Sequence, residues 1–496
     1  MLKKNQTIVI IFLWKEGIYM AEIQNKEIIR RDENFADWYT SIVKKADLVD
    51  YTNTKGSMII RPLGYAIWEN IVDVLDKEFK KLGHVNVQMP MFIPESLLNI
   101  EKEHVEGFAP EVAWVTHGGS EELQERLCVR PTSETLFCEH YKKIIKSYRD
   151  LPILYNQWCT IVRWEKTTRP FLRSREILWQ EGHTMHATKE EAMEETLRML
   201  KVYEDFQRDY LAIPVIVGEK TEKEKFAGAD KTYTIEAMMY DGYALQNGTS
   251  HYFGDHFAKA FGIEFLDKDN KLKTPYQTSW GVTTRMIGSL IMVHGDDQGL
   301  VLPPKIAPTK VMIIPIGKIN DENKAYVKAK EIEENLKNAG ITCDIDETDK
   351  SAGYKFAEAE VKGYPIRLEI GTRDLENGEC TLVRRDTREK ITCKLEDIES
   401  SIPTLLDTIQ KDMYDRALER RNSMLYEAKT YDELKECAEK PGFTKINWCG
   451  NYECEAKIKD ELGLKSRCII EDEKADGPCS VCGKEAKHKI YFGKQY

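Results

Sequence analysis

The sequence has no hydrophobic stretch long enough to cross a membrane. Its longest apolar run, residues 7–14, is much shorter than the roughly 20 residues that a membrane helix needs. Two lysines precede this run, but a lysine and a glutamate follow it at once, without the small-residue cleavage site of a secretory signal. We therefore expect a cytoplasmic protein in which residues 1–19 are an over-long translated start or a loose arm before Met20.

An excess of basic charge is also absent. The 496 residues include 72 Lys and Arg against 83 Asp and Glu, which gives a net charge of −11. This balance excludes a protein that coats nucleic acid with general positive charge, although a local basic patch can still bind it. The hydrophobic content of 42% and the charged content of 31% are those of a soluble globular protein, and the length allows about three domains.

Cysteine is too sparse for a disulfide scaffold, with twelve residues in a long chain. Seven of them are scattered, and we expect most of these to be small core residues: Cys128, Cys138, Cys159, Cys343, Cys380, Cys393 and Cys437. Four others form two pairs near the C-terminus, Cys449 with Cys454 and Cys479 with Cys482. Such pairs predict a tetrahedral zinc site, and four sulfur ligands would make the metal structural. The first pair is widely spaced, so Cys468 is a possible substitute ligand and free thiols are the alternative to a metal.

The most densely charged segment, residues 159–186, has the pattern of a β-hairpin with a long loop. Residues 159–165 alternate like a half-buried strand, a turn follows, and a second strand starts at residue 175. The segment holds four arginines, three carboxylates and two histidines: Arg163, Arg169, Arg173, Arg175, Glu165, Glu176, Glu181, His183 and His186. Because arginine binds phosphate and carboxylate groups through two-point contacts, this hairpin is the first candidate binding site. A hairpin that only carries salt bridges is the alternative.

The segments around this hairpin indicate a large mixed domain. Helices are predicted over residues 65–82 and 187–211 from their apolar spacing. Strands are predicted at 85–90, 232–240 and 242–251, and a strand that leads into a helix at 279–292. Thr132 or Ser133 is expected to cap a helix, because a hydroxyl at that position can accept from the free backbone N–H groups.

A proline-rich joint at residues 301–308 is the clearest domain boundary in the sequence. After it, strands and helices alternate as in a small α/β domain with a partly parallel sheet. The basic side chains of this part form either a basic surface or ordinary solvated charge: Lys355, Arg367, Arg373, Arg384 and Arg385. Residues 403–429 are charged and helical, and the cysteine pairs follow.

Several short motifs occur in a fixed order. They are the helix and strand that end at Pro90, Arg163-Trp-Glu165 through His183, Gly281-Val-Thr-Thr-Arg285, Arg130-Pro-Thr-Ser-Glu134, Phe226-Ala-Gly-Ala-Asp230 and Gly248-Thr-Ser-His251. The first three resemble the three motifs of class II aminoacyl-tRNA synthetases, of which the first builds the dimer. The other three resemble the prolyl branch, specifically its archaeal and eukaryotic-like type with a C-terminal zinc domain and a terminal tyrosine. The resemblance extends from about residue 30 to Tyr496.

This resemblance implies an α+β fold and a homodimer. The catalytic domain would be an antiparallel sheet flanked by helices, joined to an α/β anticodon-binding domain and a small α+β zinc-binding domain. The expected boundaries are an N-terminal arm at 1–30, the catalytic domain at 31–302, the anticodon-binding domain at 308–402 and the zinc-binding domain at 403–496. Single anticodon contacts do not carry over from the resemblance.

The resemblance also implies ligation of L-proline to tRNA(Pro) in two steps, with ATP, Mg²⁺ and a structural Zn²⁺. Proline and ATP would form prolyl-adenylate and pyrophosphate, and the prolyl group would then move to the 3′ end of the tRNA. The proline carboxylate is itself the nucleophile, so catalysis needs positioning and charge neutralisation rather than a side-chain base.

The motif residues take their implied roles from the same resemblance. Arg163 would bind the α-phosphate and the proline carboxylate, and Arg285 the γ-phosphate with help from Arg173. Gln246 and Thr249 would lie beside the phosphates or Mg²⁺, and Glu165 and Thr283 beside the nucleotide. The proline site would consist of two acceptors for the secondary ammonium and of residues around the ring: Thr132, Glu134, Trp179, Glu181, His183, Phe226 and His251. Either histidine can instead be a bracing group, since a strand histidine is more often structural.

Bacterial-type members of the family carry a large editing insertion between the second and third motifs. Here about ninety residues separate Met185 from Ser279, and the predicted elements use them up. We therefore expect no editing domain, and mischarging with alanine or cysteine, because a methylene changes binding by only about 1–3 kcal/mol. The alternatives are a threonyl or seryl relative, a tRNA-binding protein that has lost its chemistry, and a zinc-binding module at 430–496 acting alone.

Overall fold

The computed structural model describes residues 28–104 and 112–496, so the expectation for residues 1–19 lies outside the described part. The described residues form two compact units. The larger unit comprises Asp47–His294, Pro303–Pro308 and Gln410–Tyr496, and the smaller comprises the residues before Asp47 together with Gly295–Leu302 and Thr309–Ile409. Among the described residues, no helix combines the length and the apolar character that a membrane crossing requires.

The α-helices are numbered here in chain order. They are α1 Phe35–Lys45, α2 Pro62–Lys81, α3 Glu95–His104, α4 Glu134–Ile144, α5 Lys189–Asp209, α6 His256–Phe261, α7 Arg285–His294, α8 Lys324–Asn338, α9 Ala352–Lys362, α10 Thr372–Asn377, α11 Ile398–Ser423, α12 Tyr431–Ala438 and α13 Tyr452–Leu462.

The strands of the larger unit are listed in the same way. They are β1 Val49–Tyr51, β2 Met58–Ile60, β3 Val85–Asn86, β4 Phe92–Pro94, β5 Ala113–Gly118, β6 Glu121–Val129, β7 Ile153–Val162, β8 Glu176–His186, β9 Val215–Glu219, β10 Lys231–Met238, β11 Ala244–Gly254, β12 Phe265–Leu266, β13 Leu272–Lys273 and β14 Tyr276–Thr283. The remaining strands are β15 Val311–Pro315, β16 Cys343–Ile345, β17 Ile366–Ile370, β18 Glu379–Arg384 and β19 Lys390–Lys394 in the smaller unit, then β20 Leu425–Ala428, β21 Phe443–Trp448, β22 Lys465–Ile470 and β23 His488–Gly493 in the larger.

An eleven-stranded sheet organises the larger unit. Its strand order is β20-β21-β23-β22-β9-β10-β11-β14-β8-β7-β3, and its central pairs from β9 to β7 are antiparallel. Helix α5 packs on β11 and β14. It begins where the Thr188 hydroxyl accepts from the backbone N–H of Glu191, and its buried face includes Met199 and Tyr203. The predicted antiparallel sheet flanked by helices is confirmed.

The C-terminal segment continues this sheet. Ile469 on β22 pairs with Glu219 on β9, so a strand from the C-terminal segment is paired with one from the middle of the chain. This pairing depends on Gly218, because a Cβ there would be 2.2 Å from the Ile469 carbonyl oxygen. The strands of the cysteine-rich segment are therefore added to the edge of the large sheet, an arrangement that local sequence patterns do not predict.

The smaller unit has a five-stranded sheet of order β16-β15-β17-β18-β19. Strands β16, β15 and β17 are parallel, and β17, β18 and β19 are antiparallel, which confirms the predicted partly parallel sheet. Neither of the two alternatives, a basic surface or solvated charge, is right for four of the five basic residues, which are buried with polar partners: Arg367 with Glu360 and Glu369, Arg384 with Asp386, Arg385 with Asp296, and Lys355 with the carbonyl oxygen of Asp346. A buried charge needs such a partner, and the tertiary structure supplies it.

Candidate active site

Strands β8, β10, β11 and β14, with Arg163 directly after β7, place polar side chains around one cavity of about 190 Å³, which is open to solvent. The predicted hairpin is β7 and β8, which pair antiparallel with Cys159 opposite Trp179. Strand β14 pairs with the other edge of β8, so that Gly281 lies opposite Glu181. The second and third class II motifs are therefore adjacent in the sheet, although they are about a hundred residues apart in the sequence.

Glu181 is the centre of a buried hydrogen-bond network at one end of this cavity. Its Oε1 accepts from Ser133 Oγ at 2.5 Å and from Gln157 Nε2 at 2.6 Å, and its Oε2 lies 3.1 Å from His183 Nε2. Burial alone would raise the pKa of Glu181, but these hydrogen bonds outweigh burial and lower the pKa to about 2. Glu181 is therefore a fixed negative charge at physiological pH.

Glu134 lies in the same pocket in a different electrostatic state. Its Oε2 accepts from Thr132 Oγ1 at 2.6 Å, and its side chain is buried. Burial raises the pKa of Glu134 above its ordinary value; His183 opposes this shift and Glu181 adds to it. Ser133 is the residue before α4, as expected, but the hydroxyls of Thr132 and Ser133 bind carboxylates and neither caps the helix.

The two histidines of the pocket are held by neighbouring groups. The ring of His183 stacks on Phe137 at 4.2 Å between centroids, and its carbonyl oxygen accepts from Tyr141 Oη at 2.7 Å. His251 lies 2.9 Å from Thr232 Oγ1 through its Nδ1, and its ring is 4.8 Å from that of Phe226. Burial lowers the pKa of His251 to about 3, so this ring is neutral at physiological pH.

Two half-buried arginines line the rest of the cavity. The guanidinium of Arg163 lies 4.9 Å from the Trp179 ring centroid, and its Nε donates to the carbonyl oxygen of Pro131 at 3.2 Å. Arg285 is the first residue of α7; its Nη1 donates to the carbonyl oxygen of Gln246 at 3.3 Å. Burial lowers the pKa of Arg285 to about 10, with the positive charge of Arg163 adding to the effect. Two cations held close together without a paired carboxylate are arranged to receive a polyanion.

Three family models match successive parts of the chain. They are the class II core domain of tRNA synthetases for G, H, P, S and T at residues 114–294, the anticodon-binding domain at residues 310–405, and the C-terminal domain of prolyl-tRNA synthetase at residues 431–496. A curated proline–tRNA ligase from Clostridium novyi is 60% identical over 94% of this chain and 97% of its own length. The chain belongs to the prolyl-tRNA synthetase family.

Other prolyl-tRNA synthetases agree with this membership. Proline–tRNA ligase 2 of Bacillus cereus is 57% identical over 96% of this chain and all of its own length. A crystal structure of prolyl-tRNA synthetase from Cryptosporidium parvum, complexed with halofuginone and AMPPNP, superposes with a TM-score of 0.91 at 41% identity and covers 95% of this chain and 99% of that one. Membership of this family excludes the threonyl and seryl alternatives, and the chain is a class II aminoacyl-tRNA ligase.

The cavity brings together most of the residues that the sequence predicts for a prolyl-tRNA synthetase site. Twelve of fourteen line it: Thr132, Glu134, Arg163, Trp179, Glu181, His183, Phe226, Gln246, Thr249, His251, Thr283 and Arg285. The other two, Glu165 and Arg173, are not among the lining residues and form an ion pair with each other at 3.6 Å. Both residues belong to the loop between β7 and β8, and their implied roles stay a prediction.

Several lining residues were missed in the sequence. They include Phe171, Leu172, Ser174, Ile177, Lys220, Glu224, Thr232 and Asn247. The first four lie within the predicted hairpin and its loop, so their proximity to Arg163 was a usable signal. Lys220 had no such signal, because it lies in the connection after β9 and reaches the cavity only through the pairing of β9 with β10.

The four C-terminal cysteines also come together. The Sγ atoms of Cys449, Cys454, Cys479 and Cys482 all lie within 4.8 Å of one another. Cys449 Sγ is 3.7 Å from Cys454 Sγ and 3.8 Å from Cys482 Sγ. A zinc ion with bonds of about 2.3 Å to each sulfur requires tetrahedral sulfur–sulfur distances of about 3.8 Å, so this donor set fits zinc. Cys468 is outside the cluster, fully buried on β22.

Proposed function

We propose that this chain activates L-proline with ATP and transfers the prolyl group to tRNA(Pro). The observation that carries the proposal is the single cavity in which Arg163 and Arg285 lie beside the carboxylates of Glu134 and Glu181. One part of this cavity suits a polyphosphate and a carboxylate, and the other suits a small cationic ring. Proline and ATP together have this combination of charges.

The proline site is assigned to the Glu134 and Glu181 end. The secondary ammonium of proline has two N–H donors, and Thr132 and Glu134 offer acceptor oxygens that are 2.6 Å apart. Trp179, Phe226 and His251 would surround the ring. The permanently charged Glu181 would favour the cationic ammonium and would hold His183 in place through their 3.1 Å contact.

In the adenylation step, the arginines of the cavity would bind the negative charges of ATP and of the proline carboxylate. A carboxylate oxygen of proline attacks the α-phosphorus, and the bond from this phosphorus to the pyrophosphate oxygen breaks. Arg163 would bind the α-phosphate and the proline carboxylate, bringing nucleophile and electrophile together. Arg285 would bind the γ-phosphate with Arg173 assisting from the loop, and Glu165 and Thr283 would lie beside the nucleotide. In the second step, a terminal ribose hydroxyl of tRNA attacks the prolyl carbonyl carbon and AMP leaves.

Two metal ions complete the proposal. Mg²⁺ would accompany the phosphates beside Gln246 and Thr249, whose side-chain oxygens suit a hard cation, and would neutralise phosphate charge when bound. Zn²⁺ would be held by Cys449, Cys454, Cys479 and Cys482, and four sulfur ligands leave it a structural role.

We also propose a cytoplasmic homodimer with the predicted domain boundaries and without an editing domain. The dimer would form around the first motif, where Val85, Met91 and Phe92 are 52%, 47% and 45% exposed in the single chain. Large apolar side chains clustered at a surface favour a protein contact. Without editing, alanine and cysteine would enter the pocket and be activated at a measurable rate.

The test is amino-acid-dependent ATP–pyrophosphate exchange with proline, alanine, cysteine, threonine and serine. We expect strong exchange with proline, weak exchange with alanine and cysteine, and loss of all exchange in Arg163→Ala. The matched control is Arg175→Ala, because Arg175 belongs to the same loop but stacks on Trp164 at 4.1 Å and does not line the cavity. Folded, zinc-loaded protein without any exchange would contradict the proposal and would favour a tRNA-binding relative without chemistry.

A further inference from the structure

A buried ion cluster connects the C-terminal segment to the wall of the cavity. Lys220 Nζ donates to Glu236 Oε1 at 2.5 Å, and Arg467 Nη1 lies 3.6 Å from Glu236 Oε2. The three side chains are at most 3% exposed. Lys220 lines the cavity, Glu236 is on β10, and Arg467 is on β22 in the cysteine-rich segment. Arg467 therefore contacts the carboxylate of Glu236, which lies next to the cavity although it is more than two hundred positions away in the sequence.

The local backbone is built for this contact. The pairing of β22 with β23 is irregular between Ser466 and Ile469, at the position of Arg467 and Cys468. Gly218 on β9 leaves room for β22, since a Cβ there would be 2.9 Å from the Cβ of Cys468. The close approach brings a guanidinium into the interior of the large sheet.

The cluster has an excess of positive charge. It contains two cations and one carboxylate, and Glu236 is ionised: burial raises its pKa, but Lys220 and Arg467 outweigh burial and the pKa lies below its ordinary value. The adjacent Cys468 does not balance the charge, because burial raises the pKa of its thiol to about 12. A buried net charge of this kind is costly unless an anion is bound nearby.

The geometry places this charge beside the proposed phosphate-binding groups. Glu236 pairs directly with Gln246 on β11, so the two side chains lie on the same face of the sheet. Gln246 lines the cavity, and its carbonyl oxygen accepts from Arg285. The negative charge of Glu236 also acts on Arg285, raising the pKa of its guanidinium against the effect of burial.

We propose that Lys220 binds a phosphate of the nucleotide during adenylation, and that Arg467 is a positioning residue that acts on Lys220 through Glu236. The inference rests on the proposed function. Arg467 shares the charge of Glu236, so Lys220, although it donates to Glu236, keeps positive charge that can attract an anion. Without Arg467, Glu236 would neutralise Lys220 and attract Arg285 more strongly, and this part of the cavity wall would attract a phosphate less.

The test measures KM for ATP, proline and tRNA in exchange and aminoacylation assays with the full, zinc-loaded protein. Lys220→Met should raise KM for ATP about tenfold or more, and Arg467→Gln about three- to tenfold, while KM for proline changes less than about twofold. Arg467→Lys should restore most of the loss, because it returns the charge. The melting temperature and zinc content of each variant are measured in parallel to detect misfolding.

A double-mutant cycle tests the route through Glu236. In a Glu236→Gln background, Arg467→Gln should change KM for ATP by less than about twofold, because the carboxylate through which it acts is gone. The matched control is Glu471→Gln: Glu471 lies in the same C-terminal segment and contacts Tyr233 Oη at 3.2 Å and Lys231 at 3.8 Å at the surface. It disturbs the same junction without touching the cluster and should leave all three KM values unchanged.

The outcomes separate this inference from the proposed function. Three results would each overturn it. The first is an equal rise in KM for ATP in Arg467→Gln and Glu471→Gln. The others are additive effects of Arg467→Gln and Glu236→Gln on KM for ATP, and a change confined to KM for tRNA. If Lys220→Met does not fold, the comparison of Arg467→Gln with Arg467→Lys tests the inference. A raised KM for ATP in Arg467→Gln that Arg467→Lys does not restore would contradict a role for the positive charge. Proline-dependent exchange by the wild type and by Glu471→Gln supports the proposed function whatever the cluster variants show.

Discussion

Gly182 on β8 lies directly opposite Trp280 on β14, and a Cβ at Gly182 would be 2.1 Å from the indole ring. The indole therefore covers the backbone between Glu181 and His183, two residues of the proposed proline pocket. The absence of a side chain at one position allows the second and third motifs to pack at the distance that forms the cavity.

Gly182→Ala should damage both stability and activity. The added methyl must displace Trp280 from a fully buried position, and overpacking of this kind costs about 1–3 kcal/mol. We expect a lower melting temperature and a fall of about tenfold or more in kcat/KM for proline. The control is Gly118→Ala, whose Cβ would be 3.3 Å from Leu123 Cδ2 outside the cavity lining. An unchanged melting temperature and unchanged kinetics in Gly182→Ala would show that this packing does not shape the site.

Gln157→Leu and Ser133→Ala should each weaken proline activation. Both remove a hydrogen bond to the ionised Glu181, and such bonds contribute about 1.5–3 kcal/mol, or roughly ten- to a hundredfold in kcat/KM for proline. Exchange assays at varied proline and varied ATP measure the effect, which should leave KM for ATP nearly unchanged. Gln277→Leu is the matched control, because Gln277 is equally buried but its side-chain oxygen accepts from Cys138 Sγ at 3.3 Å, away from Glu181. Equal effects of the two Gln→Leu changes would reduce the role of Gln157 to general packing.

The affinity for proline should fall in acid through Glu134. Burial raises the pKa of this carboxyl, and protonation removes the negative charge that attracts the secondary ammonium, so KM for proline should rise as pH falls through the raised pKa. A pH series of KM between about pH 5 and 9 measures this, and Glu134→Gln should have a higher but flatter profile. Wild-type pH dependence that persists in Glu134→Gln would assign the titration to another group.

The stability of the fold should change with pH in the opposite direction: ionisation of Glu134 favours proline binding but destabilises the folded protein. The folded protein binds the Glu134 proton more tightly than the unfolded chain does, so the ionised carboxyl lowers stability at neutral pH and the penalty is relieved as pH falls below the raised pKa. We therefore expect Glu134→Gln to melt at a higher temperature than the wild type near neutral pH, although it binds proline less tightly. A lower melting temperature would contradict the assignment of a buried charge.

Cys479→Ser should release zinc and lower the melting temperature. Loss of one of four thiolates should weaken metal binding by at least about a hundredfold, and the folding free energy that the metal contributes falls with it. Metal analysis of purified protein and thermal denaturation with and without a chelator are the measurements. Cys437→Ser and Cys468→Ser are controls, since neither sulfur belongs to the cluster. Zinc retained at full occupancy in Cys479→Ser would exclude the four-cysteine site.

The sequence alone determined the elements and the main chemistry of the site. Alternation in residues 159–165, the first four of which belong to β7, and the apolar spacing of α2 and α5 follow from local rules, because one face of each element must be buried. Arg163 and Glu181 stood out in the densely charged hairpin, and the resemblance to the class II motifs implied their roles and that of Arg285. Twelve predicted residues accordingly line one cavity.

Only the tertiary structure decided which groups partner these residues and what charge they hold. Gln157 and Lys220 gave no local signal, because their partners are brought to them by strand pairing, and Ser133 was expected to cap a helix rather than to bind Glu181. The low pKa of Glu181 and the raised pKa of Glu134 differ because each carboxyl has its own buried neighbours, although both belong to one pocket. Arg467 reaches Glu236 because β22 joins the sheet beside Gly218, a contact that depends on backbone proximity and has no periodic pattern in the sequence.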